Sequence, residues 1–268
     1  MQENNMALSG RTLRLTTKFW FIIFLMGQLI FAWYIFMLYW KSAALGEFEK
    51  WNSATPHLYI KGQAIRNIVF GLHAAIAGII SVIGPLQLVP QIRKYAPAYH
   101  RISGRLYVIV AFLISIDGIY LTWRKGAVGD FPAHVVISIN AFIIMICGYF
   151  TIRYAIKRNL KAHNQWAVHL LLAMSGVWLF RVFLMLWLII NGGPVGFDPD
   201  TFSGPFLNVL AVLVYIFPQA LVAYYFKARN SNTRLPKVFF SILITLITIG
   251  MTVGIIAATL GMWLPRLN

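Results

Sequence analysis

The chain has 268 residues, of which 59% are hydrophobic and 11% are charged, and its formal net charge is +16. A soluble domain cannot bury so large an apolar fraction, so the composition predicts an integral membrane protein in a lipid bilayer. The basic residues stand between long apolar runs, where they set membrane orientation, and this argues against a nucleic-acid partner. The single cysteine, Cys147, excludes an internal disulfide and a cysteine metal cluster.

Seven apolar windows are long enough to cross a membrane, which takes about 20 residues of helix. They are segments one to seven, at residues 18–40, 67–90, 103–123, 133–153, 165–190, 206–226 and 237–264. We therefore predict an all-α bundle of seven transmembrane helices, which forms a single membrane domain over residues 1–268.

The basic residues predict the orientation of the bundle. Most of them precede segment one or lie between segments two and three, four and five, and six and seven. The positive-inside rule then places the N-terminus in the cytoplasm and the C-terminus outside. On the outer side, residues 41–66 are expected to form an interfacial segment with Trp51 among its aromatic anchors and a solvated His57. Residues 192–205, rich in Gly, Pro and Asp, are expected to form an ordered loop.

Five of the six histidines lie at the ends of segments two to five. In the predicted topology His73 and His134 share the outer leaflet, whereas His100, His163 and His169 share the inner leaflet. A b-type haem takes two imidazoles from facing helices. One or two haems are therefore predicted, the outer bound by His73 and His134 and the inner by His100 with either His163 or His169. Structural hydrogen bonding, or binding of a metal or substrate, is the alternative for each histidine.

Two charged residues fall inside apolar segments, where an unpaired charge costs about 2.5–3.5 kcal/mol on insertion scales. Asp117 is in segment three and Arg181 is in segment five, both in the predicted outer half. They could form an ion pair that joins the two helices. Alternatively, they lie near an outer cofactor, where Arg181 would meet a haem propionate or an anionic substrate. A helical period also places His163 and Arg181 on one face of segment five.

The last two segments carry polar and small residues that indicate helix packing. Gly250 and Gly254 form a GxxxG step, which predicts a packing face, with a homodimer contact as the alternative. Asn208, Pro218 and Gln219 in segment six indicate either a kink with a polar lining or ordinary packing.

The run LHAAIAGIISVIGPLQLVPQIRKYAPAYHRISGRLYV, followed by AHNQW and a later arginine, resembles a bacterial membrane-protein family, the domain of unknown function 2306 (DUF2306). The matching residues are His73, Gly84-Pro85-Leu86-Gln87, His100-Arg101, Gly104-Arg105, Tyr107, His163, Trp166 and Arg181. The resemblance covers about residues 68–190. It implies a membrane fold in a bacterial inner membrane and carries no established activity.

A weaker resemblance is to the cytochrome b-561 class of membrane electron carriers, in which histidines on alternate helices hold two haems. The pairing of segment two with four and of segment three with five looks like that scheme. The chain departs from it because His100 stands at the edge of its helix and segment five offers two candidate ligands.

These observations favour transmembrane electron transfer through haem, from a cytoplasmic or quinol donor or a partner protein to an outer acceptor such as ferric iron. If the chain is an enzyme, it would be a haem-dependent oxidoreductase. The first alternative is a transporter or membrane-embedded binding protein, with Asp117, Arg181, His73 and His134 lining a polar pocket open to the outside. The second is an assembly or sensor subunit that acts through protein contacts.

Overall fold

The computed structural model of the protein describes residues 2–54, 58–123 and 129–267. Within these ranges the regular elements are helices, and one isolated antiparallel bridge joins Asp198 to Ser203. The all-α prediction is therefore confirmed. His57, and the basic residues Arg124 and Lys125 of the predicted outer side, lie outside the described residues.

Six continuous helices are long and apolar enough to cross a membrane, and a bent pair of shorter helices makes a seventh span when the two are taken together. The helices are α1 (Met6–Ala44), α2 (Ala64–Gln87), α3 (Pro97–Trp123), α4 (Phe131–Ile156), the bent pair α5 (Leu160–Met174) and α6 (Gly176–Asn191), α7 (Pro205–Asn230) and α8 (Arg234–Trp263). These spans confirm the predicted helical membrane bundle.

The helices pack in an order that closes a ring. Helix α1 contacts both α2 and α8, and the chain of contacts continues from α2 to α3, from α3 to α4 and from α4 to α5. Helix α6 then packs against α8, which returns the ring to α1, while α7 lies against α5. A closed ring of helices leaves an interior that is shielded from lipid.

Contacts between connections define the two ends of the bundle. The hydroxyl of Ser53 donates to the carbonyl of Arg266 (3.4 Å), and the amide of Asn208 donates to Asp130 Oδ2 (2.9 Å). These residues mark what we call the C-terminal face, and the connections at 88–96, 157–159 and 231–233 mark the N-terminal face. The predicted orientation, which would place the C-terminal face outside, stays a prediction.

Asp130 begins α4 as its N-cap, accepting a hydrogen bond from the Ala133 N–H (3.2 Å). Burial alone would raise the pKa of this carboxyl, but hydrogen bonds from Asn208 and Ala133 outweigh burial and hold it below its ordinary value. The cap therefore stays ionised at neutral pH and ties the start of α4 to α7.

The fifth span is bent by 53° between α5 and α6. The Ser175 hydroxyl donates to the Leu171 carbonyl (2.8 Å), and a side chain at Gly176 would collide with the ring of Tyr215. Ser/Gly pairs are a recognised cause of sharp kinks. The prediction of one straight segment is therefore wrong, and so is the shared face of His163 and Arg181, which lie on different helices.

Trp51 is buried, with 4% of its surface exposed, and is not the interfacial anchor that the sequence predicts. It lies in a short 3-10 helix, Phe48–Ser53, and its indole N–H donates to the Ser42 hydroxyl (2.9 Å). Its ring packs against Tyr39 and Phe70. The connection between α1 and α2 is thus pinned to the bundle by an aromatic cluster.

The last two spans carry the features that the sequence marked for helix packing. A π turn at Val212–Ile216 precedes Pro218 in segment six, where the regular α-helical hydrogen bonding is interrupted. Gly250 and Gly254 face α6: an added Cβ at Gly250 would lie 3.3 Å from Leu186, and one at Gly254 would fall on the backbone carbonyl of Val182. The GxxxG face is therefore a packing surface within the chain.

We expect Gly254→Ala to destabilise the bundle by about 1–3 kcal/mol, because the added methyl group overpacks a contact with rigid backbone. Gly10→Ala is the matched control, since no atom lies within 4 Å of a Cβ there. Helix propensity alone makes the control neutral or more stable by up to about 1 kcal/mol. Thermal unfolding of the detergent-purified variants tests this, and equal melting temperatures for both would contradict it.

Candidate functional site

The ring of helices encloses a cavity of about 250 Å³. Helices α1 to α4 line it together with the bend between α5 and α6. It reaches from Tyr39 and Arg266, near the C-terminal face, to Pro85 and Tyr107 deep in the bundle. Binding sites for small molecules are typically concave and mostly apolar, with a few placed polar groups, and this cavity has that character.

The cavity wall includes both His73 and Arg181. The imidazole of His73 donates through Nδ1 to Asp117 Oδ2 (2.5 Å), which joins α2 to α3. Both side chains are a little over a quarter exposed. The proposed ion pair between Asp117 and Arg181 is therefore wrong, because the carboxylate is already paired with the histidine.

Arg181 forms no ion pair with any acidic residue in the described part of the chain. Its guanidinium donates one hydrogen bond to the Val177 carbonyl (3.1 Å) and lies over the ring of Phe31 (5.8 Å to the centroid). A guanidinium carries five N–H donors, so most of its capacity remains available to the cavity.

Four further residues of the cavity wall are deeply buried and carry a polar atom without a hydrogen-bond partner. They are Gln28 (Nε2), Tyr34 (hydroxyl), Asn140 (Oδ1) and Trp178 (Nε1). Each of them is at most 6% exposed. Unsatisfied buried polar groups are rare and costly in proteins, so their convergence on one cavity indicates that something else supplies the partners.

The rest of the cavity wall is mostly apolar. Ile80, Pro85, Ile144 and Leu171 contribute hydrocarbon to it, and Ser81 and Tyr107 carry hydroxyl groups. A molecule that fills the cavity would therefore meet cationic and donor groups on one side and hydrocarbon on the other.

His134 lies elsewhere. Its ring packs against Trp123 (5.7 Å between centroids) and is the neighbour that a Cβ on Gly129 would meet. It is not among the residues that line the cavity. The structure thus brings His73 to the cavity and holds His134 at the end of α3, so the two predicted outer ligands do not face each other across this space.

The predicted inner ligands His100 and His163 both lie at the N-terminal face. His163 and Arg93 are close enough to His100 for an electrostatic interaction. His163 donates from Nδ1 to the Thr151 carbonyl (2.9 Å), whereas His100 Nδ1 is buried without a hydrogen-bond partner. Of the two candidate ligands on segment five, His163 is thus the one near His100, whereas His169 points to another helix.

His169 joins α5 to α7. Its Nδ1 donates to Gln219 Oε1 (2.8 Å), and its ring packs on Trp166 (5.7 Å). Gln219 is one of the polar residues that the sequence placed at a kink or in a packing contact, and the contact is what the structure shows. Among the described residues no three or more of His, Cys, Asp and Glu are grouped as a metal would require.

The run GPLQ…HRISGRLY forms a helix junction. Gln87 donates to the Ser103 hydroxyl (2.8 Å), and its side-chain oxygen lies where a Cβ on Gly104 would come within 2.9 Å. Gly84 faces Tyr107, which would lie 2.8 Å from a Cβ there. These residues lock α2 to α3 and thereby fix the deep end of the cavity.

Residues 70–197 match the family DUF2306, described as a predicted membrane protein. The match confirms the resemblance seen in the sequence and supports a multi-pass membrane protein. No curated protein and no solved structure matches the chain. The DUF2306 segment runs from α2 to the loop after α6, so it includes His73, Asp117 and Arg181 but neither Gln28 nor Tyr34, which α1 contributes.

Reasoning from the sequence missed the four buried polar residues of the wall. Gln28 and Asn140 each interrupt an apolar run, which is the signal that could have found them. Tyr34 and Trp178 gave no such signal, because aromatic residues are common throughout the segments and only the fold shows which of them face a cavity.

We expect a double-mutant cycle of His73→Ala and Asp117→Ala to show coupling of about 0.5–2 kcal/mol, the range found for polar pairs between membrane helices. The reason is that each single change removes the same hydrogen bond. Thermal or denaturant unfolding measures the effect. The control cycle pairs Asp117→Ala with His169→Ala, whose imidazole bonds Gln219, and its effects should add. Additive effects in the first cycle would refute the pairing.

Proposed function

We propose that the protein binds a small, partly polar molecule inside the membrane, as a transporter or a membrane-embedded binding protein does. One observation carries this proposal: four deeply buried residues with unpartnered polar atoms line a single cavity that also holds His73 and Arg181. Leaving a buried polar group unpaired costs about 1–3 kcal/mol, and a bound molecule would recover that cost several times over.

The bent span supports the same proposal. Broken helices in membrane proteins are tolerated where they line a cavity, and they commonly form the substrate sites of transporters. Here the bend at Ser175 lies in the cavity wall, between Leu171 and Trp178.

Haem-dependent electron transfer is the second candidate, because Asp117 orients His73 in the way that carboxylates orient metal-bound histidines. With Nδ1 held by Asp117, Nε2 is the nitrogen left for iron. His73 would hold haem at the cavity, and His100 with His163 would hold it at the N-terminal face. Haem b, when bound, supplies a centre that takes up and releases one electron, toward an outer acceptor such as ferric iron. The position of His134 does not favour a two-histidine outer site, and ligation by any of these residues stays a prediction.

We further propose a bacterial inner membrane as the location, with the N-terminus in the cytoplasm. The family resemblance supports the first statement, and the concentration of basic residues on the N-terminal face supports the second.

The test of the proposed function is native mass spectrometry, together with the reduced-minus-oxidised visible spectrum, of the protein purified from membranes in mild detergent. We expect a small-molecule adduct on the wild-type chain that Ala77→Phe removes, because Ala77 lines the cavity and the added ring fills it. Ala75→Phe, two residues earlier on α2 and outside the cavity wall, is the matched control and should keep the adduct.

The spectrum separates the two candidates. A b-type absorption band that His73→Ala abolishes would favour haem over a colourless ligand. Absence of both an adduct and a band, or an adduct that survives Ala77→Phe, would overturn binding in this cavity and leave an assembly or sensor subunit as the working hypothesis.

A further inference from the structure

The charges around the cavity specify the ligand more closely. Resting on the proposed function, we propose that the ligand is an amphiphilic carboxylate whose head group binds Arg181 and accepts hydrogen bonds from Gln28 and Trp178. The apolar remainder of the molecule would extend into the deep part of the cavity.

The balance of charges around the cavity favours an anionic ligand. Arg181 is a cation in a membrane span without an acidic partner in the described chain, and the one carboxylate nearby in depth, Asp117, is bonded to His73. Arg266, a second cation, lines the cavity toward the C-terminal face. An anionic ligand would supply the missing counter-charge, and a guanidinium matches the two oxygens of a carboxylate in a bidentate geometry.

Among the unpartnered polar atoms of the cavity wall, hydrogen-bond donors outnumber acceptors. Gln28 Nε2 and Trp178 Nε1 can only donate, and neither has an acceptor. The Tyr34 hydroxyl can also donate. Of the four unpartnered atoms in the cavity wall, Asn140 Oδ1 is the one that can only accept. A ligand rich in acceptor oxygens satisfies this set, and one with a cationic amine does not.

The order of the wall also favours this ligand. Trp178 abuts Gly27 of α1 and lies one helical turn from Arg181, on the C-terminal-face side of the bend. Leu171, across the bend, and Pro85, near the end of α2 at the N-terminal face, continue the wall. Polar groups are thus followed by hydrocarbon, which suits a carboxylate head joined to an apolar body.

Three probes of equal chain length test the inference: decanoate, methyl decanoate and decylamine. Each is titrated into the protein in phosphatidylcholine nanodiscs, and binding is measured from the ligand-dependent shift in melting temperature. We expect decanoate to bind most tightly. Arg181→Gln should weaken decanoate by about tenfold or more, as loss of a charge-assisted contact does, and should leave the ester unchanged.

Three variants keep the test specific. Arg181→Lys retains the charge but not the bidentate geometry, so it should restore part of the decanoate binding that Arg181→Gln loses. Arg229→Gln removes an exposed arginine far from the cavity and should behave as wild type. Ala77→Phe should abolish the shift for every probe, which separates cavity binding from partition into the bilayer.

The outcomes distinguish the two proposals. Equal binding of decanoate and its ester, or decanoate binding that Arg181→Gln leaves intact, would overturn the carboxylate inference while the cavity remains a binding site. Tightest binding by decylamine would do the same. Failure of all three probes to shift the wild-type protein would overturn the carboxylate inference as well, whereas loss of the proposed function requires the absence of an adduct in the native mass spectrum.

Discussion

The bend between α5 and α6 is the feature on which the interior of this protein depends. The 53° turn at Ser175 lies in the wall of the cavity and divides the fifth span into two helices with different directions. The packing at the turn requires a glycine at position 176, because the ring of Tyr215 occupies the place of a side chain there. A close contact between a glycine and an aromatic ring thus lies at the bend and beside the cavity.

The same bend explains why the fold was more predictable than the site. Hydropathy alone located the membrane spans, because the bilayer imposes their length and composition. It could not show that segment five breaks in the middle, since Ser175 and Gly176 stand in an uninterrupted apolar run. Periodicity then assigned His163 and Arg181 to one face, an inference that holds only for a straight helix.

Partners of polar residues were harder to predict than their depth. The sequence correctly placed His73, Asp117 and Arg181 within the spans, yet the ion pair of Asp117 with Arg181 that it suggested is not formed. The structure gives that carboxylate to His73. Arg181 is left without an acidic partner among the described residues and lies in the cavity wall. The depth of a polar residue in the membrane follows from its position along the span. Its partner depends on how each helix is rotated about its own axis, and hydropathy carries no information about that rotation.

The cavity has two parts of different origin in the chain. The DUF2306 segment contributes His73, Arg181 and the bend, and α1, which precedes it, contributes Gln28, Phe31 and Tyr34 to the same wall. The first helix therefore completes the wall around a charged group that the DUF2306 segment holds. A chain that kept residues 70–197 and exchanged α1 would keep Arg181 but lose the amide of Gln28, so both the hydrogen bonding available to a head group and the shape of the space beside it would change.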